Sequence, residues 1–149
     1  MTKEKYQYYF VLGTNHSLCK ADIVNVLARE KAKFSILEAS EEILIVETER
    51  KIDTEKIINT LGSAVKIGEI FKKYEPKNFP DNFLKEIEGE EYKNFFLKEK
   101  ASRPHFAISA YNGGGGFKSL NQLYFLLPKI GHFLKEKTNG AFFYSKERK

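Results

Sequence analysis

Three histidines, one cysteine and a run of four glycines are the side chains and loop best suited to catalysis or ligand binding in this 149-residue chain. Zinc binding and nucleophilic catalysis both need several such groups converging on one point. His16, His105 and His132 fall in three separate contexts along the chain, so a structural or surface role is expected for each. Cys19 lies near the start of an expected helix, where a thiolate would be favoured. It has no resolving cysteine, and the expected role is packing or capping. A single cysteine also excludes an internal disulfide. The run Gly113 to Gly116 is followed by Phe117 and Lys118. It satisfies neither the phosphate-loop spacing nor the dinucleotide fingerprint. A flexible connector is the plain reading; the functional one is a loop whose amides and Lys118 touch an RNA phosphate. No catalytic, metal-binding or cofactor-binding set is expected.

The charge distribution points elsewhere. Residues 101–149 hold Arg103, Lys118, Lys129, Lys135, Lys137, Lys146, Arg148 and Lys149 against Glu136 and Glu147, a local charge of +6. The first hundred residues carry 17 basic and 18 acidic groups. Such asymmetry suits contact with a polyanion on the C-terminal side. Toward the end of the chain the lysines alternate with Phe133, Phe142, Phe143 and Tyr144. Rings can pack inward while ammonium groups face out, which gives a basic surface able to follow a phosphate backbone. An amphipathic, solvated helix explains the same pattern without a ligand.

The elements that must position these residues follow from periodicity. Tyr8 to Leu12 is a strand stopped by Gly13, and Thr14, Asn15 and Ser17 offer caps to a helix over 18–31 whose buried stripe is Ile23, Val26 and Leu27. Phe34–Leu37 and Ile43–Val46 flank a polar turn as a hairpin. Asp53 caps a second helix carrying Ile57, Ile58 and Leu61, with Gly62 in the position just past its end. Val65 to Ile70 alternates as a last strand. The order β-α-β-β-α-β is the split βαβ pattern of ferredoxin-like domains.

Pro76 and Pro80 bracket a polar connector. Beyond it come one or two short helices within 81–100 and a strand over His105–Tyr111. A helix with apolar residues from Leu120 through Tyr124 to Leu134 follows, kinked or restarted at Pro128. A final strand begins at Ala141. The expected organisation is α+β, with a ferredoxin-like domain at 1–75, a linker and helical lead-in at 76–100, and a partial α/β domain at 101–149. A two-stranded sheet with one helix is marginal alone, so either the sheet is completed against the first domain or the chain is cut short, and the second is expected.

Several stretches resemble a known family. Phe10-Val-Leu-Gly-Thr-Asn-His-Ser-Leu-Cys-Lys-Ala-Asp-Ile and Leu61-Gly-Ser-Ala-Val-Lys-Ile-Gly-Glu-Ile are similar to the opening domain of THUMP-containing tRNA (guanine-N2) methyltransferases. Phe106-Ala-Ile-Ser-Ala-Tyr, Ile130-Gly-His-Phe-Leu-Lys and Phe142-Phe-Tyr-Ser-Lys-Glu resemble the THUMP domain itself. The resemblance spans essentially the whole chain. Cys19 stands where the family has a small capping serine, and Phe142 or Phe143 where it has an arginine. The family's Asp/Asn-Pro-Pro-aromatic signature is missing, since Pro76, Pro80, Pro104 and Pro128 are never adjacent. Nor is there a glycine-rich S-adenosylmethionine loop.

The resemblance implies a ferredoxin-like domain plus a partial THUMP domain that binds the tRNA acceptor-stem backbone. It implies no enzyme activity for this chain alone. S-adenosylmethionine is expected only with a missing downstream methyltransferase domain. The residues expected to meet phosphates are Lys118, Lys129, Lys135, Lys137, Lys146 and Arg148. The alternative is a βαββαβ regulatory module that binds a small ligand or a protein. No apolar run approaches the roughly 18–20 residues that span a bilayer, and no signal peptide is evident. A cytoplasmic protein without membrane contact is expected, with its oligomeric state left open.

Overall fold

The computed structural model describes residues 5–75, 79, 81–87, 105–113, 120–138 and 141–143. Its architecture is α+β, in two compact units: Met1–Lys73 with Tyr111–Gly115, and Tyr74–Ala110 with Gly116–Lys149.

The first unit contains β1 (Tyr6–Leu12), α1 (His16–Arg29), β2 (Phe34–Ala39), β3 (Ile43–Thr48), α2 (Thr54–Thr60) and β4 (Ala64–Ile70). The strands form one antiparallel sheet in the order β2-β3-β1-β4. Period-two alternation decides which face is dry. Tyr8, Phe10 and Leu12 of β1 are buried, as are Leu44, Val46 and Thr48 of β3. Register places Tyr8 opposite Val46 and Phe10 opposite Leu44, so these side chains share one face. Cys19, Ile23, Val26 and Leu27 of α1 and Ile57 of α2 join them in a single apolar cluster. Each large aliphatic side chain buried there stabilises the fold by about 1.5–3 kcal/mol.

Two polar groups are carried into this core with their hydrogen bonds made. Tyr8 Oη accepts from the Ile52 amide at 3.2 Å, and the Thr48 hydroxyl donates to the Arg50 carbonyl at 2.7 Å. A buried polar group without such a partner would cost about 1–3 kcal/mol.

Local chemistry fixes the helix ends. Asn15 Oδ1 accepts from the Leu18 amide at 3.2 Å and caps α1. Asp53 Oδ1 does the same for Lys56 at 3.0 Å in α2, with Glu55 in the first turn complementing the helix dipole. Gly62 stands just past the end of α2, as expected, but without the left-handed conformation by which a glycine usually closes a helix. Leu61 is the C-cap, in an extended conformation (φ −75°, ψ 126°), because its own buried side chain draws the chain down into the core. Gly62 follows with no left-handed φ and open space at its α-carbon.

Gly13 sits in a close backbone approach, its amide donating to the Ser63 carbonyl at 3.1 Å. Asp22 Oδ2 completes this junction by accepting from the Ser63 hydroxyl at 2.8 Å and the Gly62 amide at 3.3 Å. Tyr111 and Asn112 belong to the same unit. Asn112 is held by its main chain, its amide donating to Glu42 and its carbonyl accepting from Ser40 Oγ, at 2.9 and 2.8 Å. Tyr111 Oη accepts from Lys66 Nζ at 3.0 Å.

The second unit contains α3 (Asp81–Ile87), β5 (His105–Ala107), α4 (Leu120–Thr138) and β6 (Ala141–Phe143). The strands β5 and β6 pair in parallel, His105 opposite Ala141 and Ala107 opposite Phe143. A parallel pair requires a crossover, which α4 supplies. The strand expected over 105–111 is confined to His105–Ala107. Tyr74 anchors the start of the unit, its ring 5.6 Å from that of Phe83 and its hydroxyl donating to Glu86 at 2.8 Å.

Pro128 neither breaks nor restarts α4, which runs through it. Proline removes one helix hydrogen bond and leaves the carbonyl of Tyr124 without its usual donor. Because Pro128 and Tyr124 are on the exposed side, water can serve that carbonyl.

Candidate nucleic-acid interface

The helix α4 divides into two faces. Leu127, Ile130 and Leu134 are buried, and Ile130 and Leu134 pack with Phe79, Phe83, Ile108, Leu126 and Phe133. At 100° per residue these positions mark one side of the cylinder. The opposite side carries Tyr124, Phe125, Pro128, Lys129, His132, Lys135 and Glu136, all exposed. Packing of the first set therefore dictates the display of the second.

On the exposed side, Lys129 Nζ lies 4.8 Å from the ring centroid of Phe125, one turn back along the helix. Phe125 is 69% exposed, a high value for a phenylalanine. The cation–π contact holds the ammonium in place at a cost below that of an ordered surface lysine, and leaves it hydrated on its outer side. His132 Nε2 lies 3.3 Å from Glu136 Oε1 across the next turn. Lys135 stands on the other margin of the exposed arc, about 9 Å along the axis from Lys129 at 1.5 Å per residue. The face thus offers two cations, two aromatic rings and one histidine, with a single acid among them. Such a surface can bind phosphates through charge and bases through their π-faces.

Of the residues expected to contact RNA, Lys129 and Lys135 share this face. Lys137 also lies on α4, near its C-terminal end, and its side chain is outside the described set. Lys118, Lys146 and Arg148 lie outside the described residues. Sequence reasoning placed Tyr124 among the apolar positions of α4, but it is 38% exposed, because the buried arc is centred on Leu127 and Leu134. It assigns no role to Phe125 and gives His132 no carboxylate partner at i+3 or i+4, which Glu136 supplies. The i,i+4 spacings Phe125–Lys129 and His132–Glu136 were the signals available for both.

The other chemical candidates are placed as follows. Cys19 is fully buried in the core of the first unit and takes the packing role. Among the described residues no group of three His, Cys, Asp or Glu side chains could hold a metal ion. No helix among them is long and apolar enough to cross a membrane. An open depression of about 420 Å³ in the first unit is lined by Lys5, Gln7, Glu47, Ile70 and Lys73 among others. Its charged groups are already engaged: Glu47 accepts from Lys5 at 2.6 Å and from Gln7 at 3.1 Å. The Lys5 bond holds the Glu47 carboxyl below its ordinary value, with Gln7 adding to the effect, and Glu47 in turn raises Lys5.

No protein-family model matches the chain, and comparison with curated proteins gives no match.

Proposed function

We propose that this chain is an RNA-binding module of a tRNA-modifying system, with α4 as its contact helix. The observation that carries the reading is the exposed face of α4, where Lys129 is held over Phe125 and Lys135 flanks it. The charge of +6 over residues 101–149 supports the same polyanion. Lysines supply salt-dependent, sequence-independent attraction to phosphates, while Tyr124 and Phe125 offer rings to unpaired bases.

The identification of the RNA as tRNA, and of the modification as guanine-N2 methylation, rests on the motif resemblance to THUMP-containing methyltransferases. The strand order β2-β3-β1-β4 and the element order β-α-β-β-α-β support a ferredoxin-like reading of the first unit. The helix α4 crossing between two parallel strands is compatible with a THUMP-type second unit. In this reading the chain contributes binding rather than chemistry, and S-adenosylmethionine belongs to a partner methyltransferase domain.

The test is fluorescence anisotropy with a labelled tRNA transcript and the double variant Lys129→Gln/Lys135→Gln. Each lost phosphate contact weakens binding about five- to eightfold at 0.1 M salt, so the pair should cost about 25- to 60-fold. Unchanged affinity would remove α4 from the interface.

A further inference from the structure

The turn that ends α1 carries a second concentration of charge in the first unit. Arg29, Lys31 and Lys33 occupy alternate positions over five residues, and all three are exposed. Among the described residues none of the three forms a hydrogen bond or ion pair through its side chain. Glu30, the acid inside the turn, is already bound by Lys56 Nζ at 2.8 Å, and its carbonyl accepts from the Arg50 guanidinium. The turn therefore concentrates like charges that its own acid does not neutralise.

The backbone of this turn is fixed. The Lys31 amide donates to the Ala28 carbonyl at 3.0 Å and the Ala32 amide to the Leu27 carbonyl at 3.2 Å, the two bonds of a Schellman motif. Buried Ala32 packs into the same apolar cluster as Leu27, the hydrophobic contact that accompanies the motif. On the far side the Glu49 amide donates to the Lys33 carbonyl at 3.2 Å.

Within the motif Lys31 has a φ of 51°, and it is the one non-glycine residue with a positive φ among those described. Glycine takes this position most readily, because a Cβ is strained there. A lysine at that position keeps a charge at the expense of backbone comfort. Attraction to the helix dipole accounts for cations at the C-terminus of α1. It does not account for Lys33, which lies past the turn at the entry to β2.

We infer that Arg29, Lys31 and Lys33 form a second phosphate-binding surface, on the first unit, for the backbone of the same RNA. This inference rests on the RNA-binding reading of α4. Three cations on a fixed turn lose little conformational freedom when they meet a phosphodiester chain. They contact backbone alone, so they add affinity without base preference.

The experiment compares the full chain with the triple variant Arg29→Gln/Lys31→Gln/Lys33→Gln and with Lys31→Gly, each titrated with a tRNA transcript between 50 and 200 mM salt. The triple variant should lower the magnitude of the log–log salt slope by about 2.1–2.7, at about 0.7–0.9 per lost contact. Lys31→Gly should raise the thermal midpoint, because it relieves the positive φ, while it weakens binding about five- to eightfold at 0.1 M salt. That opposed pair of effects cannot come from damage to the fold. Wild-type slope and affinity in the triple variant would overturn this surface and leave the α4 reading standing. Absence of salt-dependent tRNA binding by the wild-type chain would overturn both. Loss of affinity only in Lys129→Gln/Lys135→Gln would confine RNA to α4.

Discussion

Replacing Gly13 by alanine places a Cβ 2.4 Å from the Ser63 carbonyl oxygen. Real Cβ atoms essentially never come within 3.0 Å of such an atom, and the obstacle is backbone. The oxygen cannot rotate away, because it accepts the Gly13 amide at 3.1 Å and its own loop is tied to Asp22 through two further bonds. Relief requires the β1–α1 junction and the loop before β4 to separate. Overpacking of this kind costs about 1–3 kcal/mol, and the strained hydrogen bond about 1 kcal/mol more. The expected loss is about 2–4 kcal/mol out of the roughly 5–15 kcal/mol that holds a typical domain together.

Gly62→Ala is the matched control. Its α-carbon faces open space and its φ is not left-handed, so the variant should be neutral or gain up to about 1 kcal/mol through a less flexible unfolded chain. Urea unfolding followed by circular dichroism reads both. With m near 1.5–3 kcal/mol per molar, a loss of 3 kcal/mol lowers the midpoint by about 1–2 M. A Gly62→Ala protein less stable than Gly13→Ala would refute the account of this junction and restore Gly62 as the helix-terminating glycine.

Further outcomes follow from single contacts. Tyr8→Phe deletes the acceptor of the buried Ile52 amide and should lower unfolding stability by about 1–3 kcal/mol, measured by urea titration; an unchanged midpoint would mean that amide finds water. Glu47 has its carboxyl held below 4.5 by Lys5 and Gln7, so its contribution is present above that value and fades as pH falls through the folded-state pKa. Lys5, held above 10.5 by Glu47, contributes below that value and loses its contribution as pH rises through the folded-state pKa. Glu47→Gln should therefore flatten both the acid and the alkaline limb of a stability–pH profile, and a profile that keeps both limbs would discount the pair.

Much of the first unit is legible in the chain. The alternation of Tyr8, Phe10 and Leu12, the Ile23–Val26–Leu27 stripe and the caps at Asn15 and Asp53 each need only local periodicity or a side-chain oxygen in the right place. Gly62 lies where the sequence places it, just past α2, but the left-handed turn a glycine there usually makes is absent, because the C-cap Leu61 is extended with its side chain buried. Gly13 reads from sequence as a simple strand stop. Its approach to Ser63 joins segments fifty residues apart, which no local pattern reports.

In α4 the apolar period gave the buried side, yet Tyr124 falls just outside the arc, and only packing decides such margins. Charge alone pointed to Lys129 and Lys135. The ring beneath Lys129 comes from spacing combined with exposure, and exposure is a property of the fold. The turn at Arg29 to Lys33 was hidden for a related reason. The first hundred residues are about neutral in sum, and only the structure shows that Glu30 is occupied while its basic neighbours meet no partner among the described residues.

The salt dependence of tRNA affinity decides whether α4 contacts RNA. Wild-type protein should bind a tRNA transcript with a log–log slope whose magnitude falls by about 1.4–1.8 when Lys129 and Lys135 are both changed to glutamine. A flat line for the wild type, or one slope shared by both proteins, would contradict the assignment of α4 as the RNA-contacting helix.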